Sequence, residues 1–70
     1  MTEEAVHKAM ALAARVRKQR SNKRYDLAQA TILRICELQI DCMGTGAHTK
    51  IGRILKQLQV EIQEIMARDS

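Results

Sequence analysis

The sequence predicts an all-α protein of three helices: a short Ala-rich N-terminal helix plus an antiparallel helical hairpin. The three form a single helical domain that dimerises into a bundle. Three observations carry this expectation. The 70 residues contain no proline, and the three glycines, Gly44, Gly46 and Gly52, fall close together. The chain therefore has one strong break in local structure, at Met43-Gly44-Thr45-Gly46. The rest is rich in Ala, Leu, Gln, Glu, Lys, Arg and Met, which favour helix, and its apolar residues recur at helical spacing.

The first helix is expected over about 2–19. Thr2 is placed to cap it, and Glu3 and Glu4 then occupy the first turn, where the helix dipole favours negative charge. At 100° per residue, Ala5, Val6, Ala9, Met10, Leu12, Ala13, Ala14 and Val16 share one face and Glu4, His7, Lys8, Arg15 and Lys18 the other. Alanine dominates the apolar face, so a neighbouring helix can approach closely while each contact buries little area.

A basic run follows, with Arg15, Arg17, Lys18, Arg20, Lys23 and Arg24 inside ten residues. The apolar pattern lapses there, which reads as a turn over 20–24, near Ser21-Asn22, with Ser21 or Asp26 available to cap the next helix. The second helix is expected over about 23–43. Leu27, Ala28, Ile32, Leu33, Ile35, Cys36, Leu38, Ile40, Cys42 and Met43 cover most of its circumference, leaving Ala30, Arg34, Glu37 and Asp41 as its polar strip. A helix apolar over so wide an arc has to be covered on more than one side. After a glycine loop at 44–47, the third helix is expected over about 48–68. Its Ile51, Leu55, Leu58, Ile62 and Ile65 are spaced 4, 3, 4, 3, as in a coiled-coil seam. The short loop before it suits an antiparallel hairpin.

Length and composition sharpen the dimer expectation. A chain this short buries only about 60% of the surface its unfolded form exposes. With no Phe, no Trp and only Tyr25, it lacks the side chains that bury most area. Small scaffolds compensate with disulfides, metal or oligomerisation. Cys36 and Cys42 are six apart in an expected helix, about 9 Å of rise, too far for the ~7 Å limit of a disulfide. They read as reduced core residues. The start Met-Thr-Glu-Glu has no basic region and apolar run, giving a cytoplasmic expectation. Cys36, Cys42, His7 and His48 show no metal-ligand spacing, so neither metal nor cofactor is expected. No apolar run approaches the ~20 residues of a membrane span. Self-association remains, with a core of Ile32, Ile35, Cys36, Ile51, Leu55, Leu58 and Ile62.

Catalysis is not expected. His48 and Lys50 have no companion nucleophile or paired carboxylate. The Gly44–Lys50 stretch lacks the P-loop spacing and any preceding strand, and no small-molecule substrate is implied. Binding residues are sought among the cations: Arg15, Arg17, Lys18, Arg20, Lys23 and Arg24 around the turn, and Lys50, Arg53 and Lys56 on the third helix. With a net charge of +4, the basic run has three open readings. It can grip nucleic-acid phosphates, bind an acidic protein, or be a turn that is solvated or partly neutralised by Glu61, Glu64 and Asp69 from the end of the third helix. The third helix, following a short glycine turn, also invites a helix-turn-helix reading with Lys50, Arg53 and Lys56 toward DNA. The leading expectation is a non-enzymatic regulator, adaptor or inhibitor that binds an unidentified protein through helical surfaces as a homodimer. The alternative is a small DNA- or RNA-binding regulator.

Overall fold

The computed structural model describes residues 2–69, with side chains over 3–68; the Thr2 cap and the Asp69 charge lie outside the described side chains. Three helices pack together: α1 (Thr2–Ser21), α2 (Tyr25–Asp41) and α3 (Gly46–Asp69). No strand is present among the described residues. The helices run up, down, up. Gln19 meets Thr31, while Lys8 and Leu12 share a cleft with Leu38 and Asp41, so α1 and α2 are antiparallel. Arg17 meets Glu61, while His7 shares a cleft with Lys50, so α1 and α3 are parallel.

Each helix contributes a seam at 3-and-4 spacing. Ala9, Ala13 and Val16 come from α1; Ala28, Thr31 and Ile35 from α2; Ala47, Ile51 and Leu58 from α3. Five of these nine are alanine or threonine. Small side chains suit close helix packing, and α1–α2 is the most extensive of the three helix contacts and α2–α3 the least. Within the hairpin expected to dominate the fold, α2 is thus held mainly by α1. Thr31 is a polar residue buried in this seam. Its Oγ1 lies 2.9 Å from both the Leu27 carbonyl oxygen and Gln19 Oε1. A hydroxyl has one proton to give, so turning the Gln19 amide to present its NH₂ satisfies both contacts.

Ile35, Ile51 and Leu58, assigned from sequence to a dimer core, are fully buried within one chain and have no surface left for a partner. Ile32 and Leu55 are half-buried against that core, whereas Cys36 and Ile62, also half-buried, stand outside it. Ile65 continues the α3 seam but is exposed. With 24 residues against 17 in α2, α3 is about 10 Å longer at 1.5 Å per residue, so its last turns extend past the packed region.

The connections explain the shifted boundaries. α1 ends in a Schellman motif: Arg24 N–H donates to the Gln19 carbonyl and Lys23 N–H to that of Arg20. Lys23 takes the left-handed position at φ 60°, which stops the chain from entering α2 at residue 23. Arg24 stands at the N-cap of α2 without a side-chain cap bond. Neither Ser21 nor Asp26 caps: Ser21 closes α1, and Asp26 lies in the first turn of α2. After α2, Gly44 adopts φ 84°, a conformation glycine reaches without a Cβ clash. The loop lies two residues earlier than expected, over 42–45 instead of 44–47, because α2 ends at Asp41 and α3 already starts at Gly46, with Ala47 buried. Thr45 precedes α3, but its hydroxyl turns back to donate to the Cys42 carbonyl at 2.6 Å. His48 Nδ1 lies 2.9 Å from the Gln39 carbonyl oxygen, tying the start of α3 to the end of α2.

Candidate interaction surfaces

The α1 seam steps 4, 3, 4 through Ala9, Ala13, Val16 and then Arg20, so arginine occupies the position where the next core residue would fall. It is 8% exposed. Its stem lies along the apolar interior and its head reaches a polar edge, as long cationic side chains do. Nη2 donates to the Leu58 carbonyl at 3.2 Å, and Nη1 lies 3.9 Å from Glu61 Oε1. One turn earlier, Arg17 donates from Nε to Glu61 Oε1 at 2.9 Å and from Nη2 to Oε2 at 3.0 Å. This is the two-pronged geometry that strengthens a guanidinium–carboxylate pair. Gln57 Nε2 completes the set at 3.3 Å from Oε2.

The electrostatics follow from these contacts. The Arg17 hydrogen bonds hold the Glu61 carboxyl below its ordinary value, against an opposing push from burial. The same bond raises the Arg17 guanidinium. Burial lowers that of Arg20, with Glu61 opposing.

The basic run therefore divides. Arg17 and Arg20 are engaged within the chain. Arg15, Lys18, Lys23 and Arg24 are exposed and make no ion pair among the described residues. Of the acidic side chains expected to meet this run, Glu61 does so. Glu64 is exposed and makes no ion pair among the described residues.

The second set of cations also divides. Arg53 shares a cleft with Met10, Arg17 and Gln57, and Lys50 shares one with Glu3 and His7. The parallel arrangement thus brings both onto the α1–α3 groove. Lys56 is exposed and lines neither cleft. α3 packs lengthwise against both neighbours rather than projecting as a separate recognition helix.

An apolar feature completes the inventory. A cleft of about 340 Å³ opens between the start of α2 and the end of α3, lined by Tyr25, Ile32, Ile62, Ile65 and Met66, with Arg20 at its inner edge. Sequence periodicity places the α3 seam but not this gap, which arises because α2 and α3 touch least. Among the described residues no three of His, Cys, Asp and Glu gather to hold a metal ion. Among the described residues no helix is long and apolar enough to cross a membrane. Compared with protein-family models, curated proteins and solved structures, the chain matches none.

Proposed function

We propose that the protein is a non-enzymatic regulator, adaptor or inhibitor that binds protein partners through its helical surfaces, a second copy first among them. One observation carries the reading: the chain leaves large apolar side chains uncovered on each of its helices, Met10 on α1 among them. Leu33, Ile40 and Met43 are exposed on α2 and the turn after it, and Tyr25, Ile65 and Met66 are exposed around the α2–α3 cleft. Contiguous apolar surface, such as that of Tyr25, Ile65 and Met66 around one cleft, marks interaction sites. The test compares a tagged chain with its Ile40→Glu/Met66→Glu variant by chemical cross-linking in cell extract and mass spectrometry. Proteins held by the wild type, copies of itself included, are expected to be lost from the variant. Capture of the same set by both overturns the reading.

A second reading rests on a different observation: Arg15, Lys18, Lys23 and Arg24 lie exposed and unpaired around one turn. Such a cluster suits nucleic-acid phosphates. Phosphate-driven binding weakens steeply with salt, in proportion to the contacts made. A gel shift on generic duplex DNA and RNA at two salt concentrations tests it, and absence of a shift at low salt removes this reading.

A further inference from the structure

We propose that the cleft between the start of α2 and the end of α3 binds a small monocarboxylate with an unbranched apolar tail, its carboxylate on Arg20. This goes beyond partner binding and does not rest on it. The cleft combines a largely apolar wall with one buried cation at its inner edge.

The cation is incompletely paired. Arg20 is 8% exposed, yet its guanidinium makes one hydrogen bond among the described residues, from Nη2 to the Leu58 carbonyl. Among the same residues, no fully enclosed side-chain nitrogen or oxygen lacks a partner. Nε and Nη1 therefore open onto the space that Arg20 borders, which is this cleft and the adjoining one it shares with Arg17 and Glu61. Glu61 lies 3.9 Å from Nη1, beyond hydrogen-bond reach, and both its oxygens already accept from Arg17. One carboxylate thus faces two guanidiniums, and one positive charge is left over. Burial outweighs Glu61 and lowers the Arg20 guanidinium, in keeping with that shortfall.

The shortfall selects the head of the ligand. No acidic residue lines the cleft, and its other polar side chains, Tyr25 and Gln29, are neutral donors. A single carboxylate supplies the missing charge through a charge-assisted bond to a free N–H. A dianion such as phosphate would bring a second charge with no cation to meet it in a site partly closed to water.

The wall selects the tail. Ile32, Ile62, Ile65 and Met66 line it, and the unbranched Met66 side chain adapts its shape to what it covers. Ile65 and Met66 are 41% and 66% exposed, so a tail laid against them removes apolar surface from water. The volume of about 340 Å³ lies at the small end of ligand pockets. At roughly 30 Å³ per small non-hydrogen group in a liquid, the cleft holds about eleven, the size of an acid of roughly eight to ten carbons.

The test titrates the full chain, labelled with nitrogen-15, with octanoate and separately with octan-1-ol, and follows amide shifts by NMR. The alcohol has the same tail and no charge. Octanoate is expected to saturate with its largest shifts around the cleft, and octan-1-ol to bind at least about 10-fold more weakly, as fits the loss of one charged contact. Arg20→Met keeps most of the stem. It is expected to bring octanoate down to the affinity of the alcohol and to leave the alcohol unchanged. Ile65→Gln, at an exposed position, is expected to weaken both. Circular dichroism verifies that each variant is folded. Absence of saturable octanoate shifts up to about 10 mM overturns the site. So does equal affinity for octanoate and octan-1-ol in the wild type, a result that needs no variant. Octanoate shifts centred on the exposed Lys18, Lys23 and Arg24 instead of the cleft also overturn it. The probes contain no protein, so each of these failures leaves the cross-linking comparison of partner binding untouched.

Discussion

Arg20 Nη2 donates to the carbonyl oxygen of Leu58 across 3.2 Å, carrying a guanidinium from the end of α1 to the middle of α3. The contact joins two elements that are distant in sequence and closes the α1 seam with a cation instead of an apolar side chain. Arg20→Ala removes both the buried stem and the donor, and is expected to destabilise the fold by about 2 kcal/mol. Arg20→Met keeps most of the stem and is expected to cost less than ~1 kcal/mol, since Glu61 retains its two bonds from Arg17. Urea denaturation of the two variants separates packing from hydrogen bonding.

Glu61 gives the protein an acid-sensitive contact. Its carboxyl is held below the ordinary value of 4.5 by Arg17, so the unfolded chain takes up its proton first as pH falls. The stability it contributes is fully present above the ordinary value and is lost as pH drops through the lower, folded one. Glu61→Gln lacks this contribution. The wild-type advantage in melting temperature over the variant is expected to be constant near neutrality and to shrink steadily below about pH 4.5. An advantage that grows on acidification would show that the Arg17–Glu61 pair does not stabilise the fold.

Lys23 occupies a left-handed backbone position at φ 60°. For a residue with a Cβ this costs about 1–2 kcal/mol, and glycine is the residue usually found there. Lys23→Gly is expected to raise stability by about 1 kcal/mol despite the greater freedom it gives the unfolded chain. Lys23→Ala, which retains the Cβ, is expected to be close to neutral. The urea midpoints of the two variants, compared with wild type, check this.

Gly52 faces α2. A Cβ built there would lie 2.9 Å from Gln39 Nε2, the far end of a flexible side chain, with no backbone atom of a neighbouring helix that close. Gly52→Ala therefore gains most of the ~1 kcal/mol by which alanine exceeds glycine inside a helix, once the Gln39 amide swings aside. Gly52→Leu is expected to part α2 from α3 and lower the melting temperature.

The helical seams were the most legible part of the sequence. Ile51 and Leu58 lie in the core where the 4, 3, 4, 3 spacing placed them, and Ala9 and Ala13 are buried as the apolar face of the first helix implied. What was missed depends on tertiary neighbours. Thr31 and Arg20 are buried because each has a partner on another helix, Gln19 and Leu58 respectively, and neither partner can be paired from local pattern. The break between α1 and α2 falls within the turn expected over 20–24, but its left-handed residue, Lys23, is not the glycine that would announce it. Among the candidate binding residues, composition made the basic run visible. Only the fold separates Arg17 and Arg20, held by α3, from the four cations around them that remain exposed.

The alanine seam between α1 and α2 also has a thermal consequence. Heat capacity of unfolding grows with the apolar surface released, and an ordinary chain of this length shows about 0.8–1.0 kcal/mol/K. Here Ala9, Ala13, Ala28 and Ala47 make up half of the buried apolar residues, and each releases little surface. The heat capacity increment is therefore small and the free-energy curve shallow. With so shallow a curve the protein is expected to lose little stability on cooling, where a chain with larger buried side chains loses more.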